Sequence, residues 1–145
     1  VFETFEVHQA SFTISTDPAR LQIEVIVAAL GDSYWANLRS RDAIEQSLEH
    51  SLCFGVYHGE HQVGLARVIT DHATFAYLCD VFILESERGR GLGKWLMQTV
   101  MTHPELQGLR RWMLATRDAH GLYAQYGFTA LSAPERWMER FDPSA

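Results

Sequence analysis

Three glycines within five positions, Gly89, Gly91 and Gly93, alternate with Arg88, Arg90, Leu92 and Lys94. Glycines at that density let the backbone turn tightly and present successive N–H groups. If a helix begins there, its dipole adds positive potential at the same place. The three basic side chains add full charges. The chemistry implied is the binding of a pyrophosphate. The flanks agree: Phe75 to Leu84 is rich in β-branched and aromatic residues, as a strand is, and Leu92, Leu96, Met97 and Val100 recur at helical spacing. Two familiar phosphate loops fit poorly. The dinucleotide fingerprint needs G-x-G-x-x-G near the start of a βαβ unit, whereas this is G-x-G-x-G late in the chain. A nucleotide P-loop needs Ser or Thr after its lysine, and Lys94 is followed by Trp95.

The loop resembles the acetyl-CoA loop of the GNAT superfamily of N-acetyltransferases, [Q/R]-x-x-G-x-[G/A], with Arg88, Gly91 and Gly93 in its defining positions. A second block, Thr116 to Phe128, is similar to the family's N-x-x-A-x-x-x-Y-x-x-x-G-F segment. Ala119, Tyr123, Gly127 and Phe128 match, and Thr116 stands where Asn is usual. The two blocks cover roughly residues 75 to 132. The resemblance implies an α/β (α+β) fold with a mixed, splayed central sheet of about six or seven strands and about four helices. It also implies acetyl-CoA as co-substrate and no metal.

By the same resemblance, Arg88 to Lys94 would hold the pyrophosphate, with Thr116 on the pantetheine arm. The backbone of Val81, Phe82 and Ile83 would pair with the pantetheine amides, because a splayed sheet edge leaves N–H and C=O groups in search of partners. An acetyl transfer to an amine needs a neutral nucleophile, a donor to the developing oxyanion and a proton for the leaving thiolate. A backbone N–H near Ile83 suits the second need. Tyr123 matches the family's general acid and would also touch the cofactor. Asp80 has three readings: a base for the amine, a holder of a cationic acceptor, or a strand carboxylate paired with Arg67 or Arg117. Tyr34 and Trp35 fall in the loop that borders the acceptor site in the family, where they would either stack on the acceptor or pack on the sheet. His72 and His120 are further candidate bases. The reaction implied is direct attack in a ternary complex, since neither Cys53 nor Cys79 has a neighbouring base to activate it. The alternatives are a non-catalytic CoA-binding module and a transferase using a longer acyl donor.

The elements that must position these groups can be read from the pattern. Strands are expected over residues 11–15, 51–58, 62–70, 75–84, 109–116, 127–131 and 136–141. A helix is expected from Asp17-Pro18 to Gly31, another from Ser40 or Arg41 through Ile44 and Leu48, a third from the glycine loop to His103, and a short one capped by Asp118. Residues 1–10 read as a flexible N-terminal extension to a single domain of 145 residues. No apolar run is long enough to span a bilayer, no signal sequence is recognisable, and two strand cysteines suggest reduced thiols in the cytoplasm. No histidine shows metal-ligand spacing. A net charge of −6 argues against nucleic acid and leans towards a small cationic amine as partner. A homodimer is an arrangement the family permits.

Overall fold

Alternation of apolar residues along three long segments builds the centre of the molecule. The computed structural model describes residues 3–145. Six strands, β1 (Glu6–Gln9), β2 (Phe12–Ser15), β3 (Leu52–His58), β4 (His61–Thr70), β5 (Phe75–Ile83) and β6 (Arg111–Leu114), lie side by side in chain order. The first five are joined antiparallel, and β6 joins β5 parallel. A parallel neighbour requires a crossover, and α3 (Leu92–Thr102) supplies it. Helices α1 (Ile23–Gly31), α2 (Arg41–Glu49) and α4 (His120–Ala124) complete the fold.

The sheet buries both faces, one under each set of helices. On one side Phe54, Val56, Ala66, Val68, Ala76 and Leu78 pack against Leu92, Leu96, Met97 and Val100 of α3. Those four helical residues recur at three- and four-residue spacing and form the apolar stripe that holds α3 down. On the other side Cys53 and Leu65 meet Ile26 and Leu30 of α1 and Ile44 and Leu48 of α2. Local capping sets the helix limits. The Ser40 hydroxyl accepts from the Ala43 N–H at 3.1 Å at the start of α2, and His103-Pro104 ends α3.

Several expectations are corrected. Part of the segment read as an extension is β1, paired along its length with β2. Asp17-Pro18 opens a short 3-10 turn, Pro18–Arg20, and the α-helix begins only at Ile23. The Asp118 carboxylate does not cap α4. Instead the Thr116 hydroxyl accepts from the Ala119 N–H at 3.0 Å. The two C-terminal strands are absent from the described residues. Gly127, at φ +91°, is the left-handed residue that closes α4: the Phe128 N–H returns to the Tyr123 carbonyl and the Gly127 N–H to that of Ala124. That backbone is therefore committed to ending a helix. Pro134–Arg136 then makes a 3-10 turn where the last strand was expected to begin.

Gly64 lies opposite Ile83 on β5, with no room for a side chain. A Cβ there would lie 2.7 Å from Ile83 Cδ1 and 2.9 Å from the Phe82 carbonyl oxygen. The side-chain tip can move, but the carbonyl belongs to the paired strand. Gly64→Ala is expected to lower stability by about 1–3 kcal/mol, seen as a lower urea midpoint at unchanged slope. Gly31→Ala, with nothing within 4 Å of the added atom, should leave the midpoint unchanged or raise it slightly.

Candidate active site

The sheet opens where β5 outruns β6. Their parallel pairing covers only Phe75 to Leu78 against Arg111 to Leu114. Beyond Leu78, β5 continues to Ile83 with no strand on that side. Backbone polar groups alternate between the two edges of a strand. The Leu84 N–H donates to the Val63 carbonyl of β4 at 2.8 Å, so Phe82, two residues earlier, also faces β4. Val81 and Ile83 therefore turn their N–H and C=O groups into the open wedge. This corrects the expectation for Phe82, whose backbone is bonded within the sheet. Arg88 Nε donates to the Ile83 carbonyl at 3.0 Å, leaving Val81 and the Ile83 N–H with no strand partner on that side among the described residues.

The glycine loop follows at the open end of β5, tied to it by the Arg88 contact with the Ile83 carbonyl. Gly89 and Gly91 have φ of +82° and +77°, and Gly91 is the N-cap of α3. The first helical bond runs from the Trp95 N–H to the Gly91 carbonyl. The N–H groups of Leu92, Gly93 and Lys94 thus point out of the helix start without a partner among the described residues. Nothing lies within 4 Å of a Cβ built on Gly91 or Gly93, so the space in front of those donors is open. Lys94 and Arg88 are exposed, and Arg90 sits 3.5 Å from Glu87. The arrangement fits a pyrophosphate.

A cleft of about 460 Å³ occupies the wedge. One wall is Tyr77 to Val81 of β5. Facing it is the segment from Leu114 to Ala119 with Tyr123, and Tyr34, Trp35 and Arg39 close a third side. Asp80 ties the walls together. Its Oδ1 accepts from Trp35 Nε1 at 3.0 Å, and its Oδ2 accepts from Arg39 Nη1 and Arg67 Nε, each at 2.8 Å. Arg67 also donates to Ser51 Oγ at 3.0 Å. A backbone φ of +52° at Asp80 breaks the strand alternation here and brings the carboxylate to Arg67, whose register partner on β5 is Cys79. With 1% of its side chain exposed, Asp80 faces the protein rather than an acceptor. Of its three readings, the geometry supports the pairing with Arg67. Arg117 instead lies 3.6 Å from Asp118.

Tyr34 and Trp35 act as cross-ties. The Tyr34 hydroxyl accepts from the Arg117 N–H at 3.1 Å, and the Arg117 guanidinium lies 3.9 Å over the Tyr34 ring. Opposite them Tyr123 is half-buried, its ring edge-on to Phe128. Burial, helped by the neighbouring Tyr34, raises its pKa above that of an ordinary phenol, so it keeps its proton at neutral pH. Thr116 lines the cleft, and its hydroxyl proton remains available for a ligand. The histidines fall elsewhere. His72 lies in the β4–β5 turn at the far end of β5, and His120 is exposed outside the cleft wall. Cys53 and Cys79 are free and flank Arg67 on neighbouring strands. Two strand spacings put them roughly 9–10 Å apart, too far for a disulfide. Burial pushes their thiols up to about 12 and about 11. Arg39 was not singled out from sequence, because an arginine in a polar loop carries no distinguishing pattern. Arg67 was noticed only as a partner for Asp80, through its place in an apolar strand.

Comparison with known proteins agrees with this geometry. The model of the acetyltransferase (GNAT) family matches residues 20–128. A Gibberella zeae protein, provisionally assigned as an acetyltransferase (FG08082), is 38% identical over 140 residues, covering 81% of this chain and 78% of its own. A crystal structure from Xanthomonas campestris pv. campestris, provisionally assigned to the same family, is 51% identical with a TM-score of 0.90 and covers 92% of this chain and 94% of its own. A family acetyltransferase from Elizabethkingia anophelis, solved with acetyl-CoA bound, shares the fold at 16% identity, with a TM-score of 0.64 over 94% of this chain and 92% of its own.

The Asp80 contacts make a stability prediction. Asp80→Asn leaves Arg67, with 9% of its side chain exposed, without its counter-charge. Breaking one side of a buried pair costs about 3–5 kcal/mol, so the urea unfolding free energy should fall by that much. Arg39→Gln, at the more open end of the cluster, should cost clearly less.

Proposed function

The chain belongs to the GNAT family of acetyltransferases, and from that membership we propose that it transfers an acetyl group from acetyl-CoA to a primary amine held in the cleft. The observation that carries the proposal is a convergence. The unpaired edge of β5 and the protonated Tyr123 line one cleft, and the free N–H groups at the start of α3 follow directly on that strand. The helix N-terminus with Arg88, Arg90 and Lys94 binds the pyrophosphate. Val81 and Ile83 supply the strand edge on which the pantetheine amides pair, with Thr116 opposite. A backbone N–H of this edge donates to the thioester oxygen as negative charge develops there.

The amine nitrogen forms its bond to the carbonyl carbon, the carbon–sulfur bond breaks, and the Tyr123 hydroxyl gives its proton to the departing sulfur. The proton lost by the amine leaves through water, since Asp80 already accepts three hydrogen bonds. Transfer is direct. Cys79 lines the cleft, but with its thiol pushed up to about 11 it is protonated at neutral pH and carries no acyl group. Two unbridged cysteines accord with a reducing, cytoplasmic setting.

Thermal melting tests the binding half. A ligand at a hundred times its dissociation constant adds about 2.7 kcal/mol, so acetyl-CoA should raise the melting temperature of the wild type. Gly93→Glu, which places a carboxylate before the helix start without the backbone strain of a change at Gly91, should abolish that shift. Tyr123→Phe should keep the shift and lower kcat by about 10²–10⁴-fold. A wild type that melts identically at millimolar acetyl-CoA would remove the transferase reading.

A further inference from the structure

We infer that the acceptor amine carries an anionic group, a carboxylate or a phosphate, and that Arg39 binds it. This rests on the transferase reading and narrows the substrate class of the same cleft. The chain as a whole is acidic, at −6, yet the cleft has the opposite character. Its charged lining is Arg39, Arg67 and Arg117 against Asp80 and Asp118. The two carboxylates are not equivalent. Asp118 is 68% exposed and stands 3.6 Å from Arg117, where water screens it. Asp80 is buried and shared by two guanidiniums, so Arg39, Arg67 and Asp80 together retain one positive charge.

Arg39 is where that charge meets the cleft. Its side chain is 26% exposed against 9% for Arg67. Its one side-chain hydrogen bond among the described residues runs from Nη1 to Asp80. A guanidinium has five N–H donors in a planar fork that suits the two oxygens of a carboxylate or phosphate. With one donor on Asp80, Arg39 is held in place and still presents the rest of the fork. Arg117, stacked on Tyr34 across the opening, is as exposed as Asp118 and offsets it, so the net charge of the cleft rests on Arg39. An ammonium entering this cleft is disfavoured by like charge, which pushes a bound amine towards the neutral form that attacks. A polyamine has no group that Arg39 would hold, whereas an amino acid or a phosphorylated amino alcohol has one.

The test is CoA release by the wild type with paired acceptors: amino acids against their methyl esters, phosphorylated amino alcohols against the unphosphorylated compounds, and polyamines. The anionic member of at least one pair should show a KM lower by roughly tenfold to a hundredfold, the range a charge-assisted hydrogen bond carries. Which pair responds tells carboxylate from phosphate. Arg39→Gln should erase that preference by raising KM for the anionic acceptor while leaving its neutral partner unchanged. Equal or better turnover of esters, unphosphorylated amines or polyamines overturns the inference and leaves the transferase standing, as does an Arg39→Gln loss shared by both members of a pair. No CoA release with any amine overturns the transferase reading itself, and this inference with it.

Discussion

One buried carboxylate organises the site. Asp80 lies on β5 and is held by Arg67 from β4 and by Trp35 and Arg39 from the loop between α1 and α2. A charge removed from water is tolerated only when its acceptor sites are filled, and here three donors from two other parts of the chain fill them. The loop is thereby fixed against the sheet, so its aromatic residues form a wall. The left-handed backbone at Asp80 is a strained state that the surrounding bonds hold in place. Removing the carboxylate itself would loosen both the loop and the strand that frames the wedge.

The wedge itself follows from a mismatch in length. β5 has nine residues and β6 four, and a parallel neighbour that stops early leaves the longer strand with an unpaired edge. In most sheets such an edge invites unwanted pairing. Here it lies beside a helix start whose N–H groups are also unpaired, and the two together make a path for an extended ligand with a charged end.

Features written in consecutive residues were legible from sequence. The strand, glycine loop and helix follow one another between Phe75 and Thr102 and appear where the pattern put them, and Tyr123 faces the cleft as its segment implied. What was hidden depended on distance or context. Trp35 and Arg39 meet Asp80 across 45 and 41 residues, and no local spacing announces that meeting. Gly127-Phe128 has strand-like composition downstream, but closing α4 claims its backbone first. The whole-chain charge leaned towards a cationic partner, whereas the charged lining of the cleft, three arginines against two carboxylates, favours the anionic acceptor proposed above. Burial decides which of them a ligand feels.

The strand order also bears on how the molecule assembles. β1 to β5 are paired in chain order, and three of those four pairings join consecutive strands through hairpins or a tight turn, contacts that close with little loss of chain entropy. β6 cannot join until α3 has formed and packed. Folding that follows chain order would pair five strands before the glycine loop and α3 dock on them. In that order α3 and the far wall of the cleft join a sheet already in place. The part of the fold that meets the ligand is thus the part with the least local support, and a bound ligand adds to its cohesion as much as it draws on it.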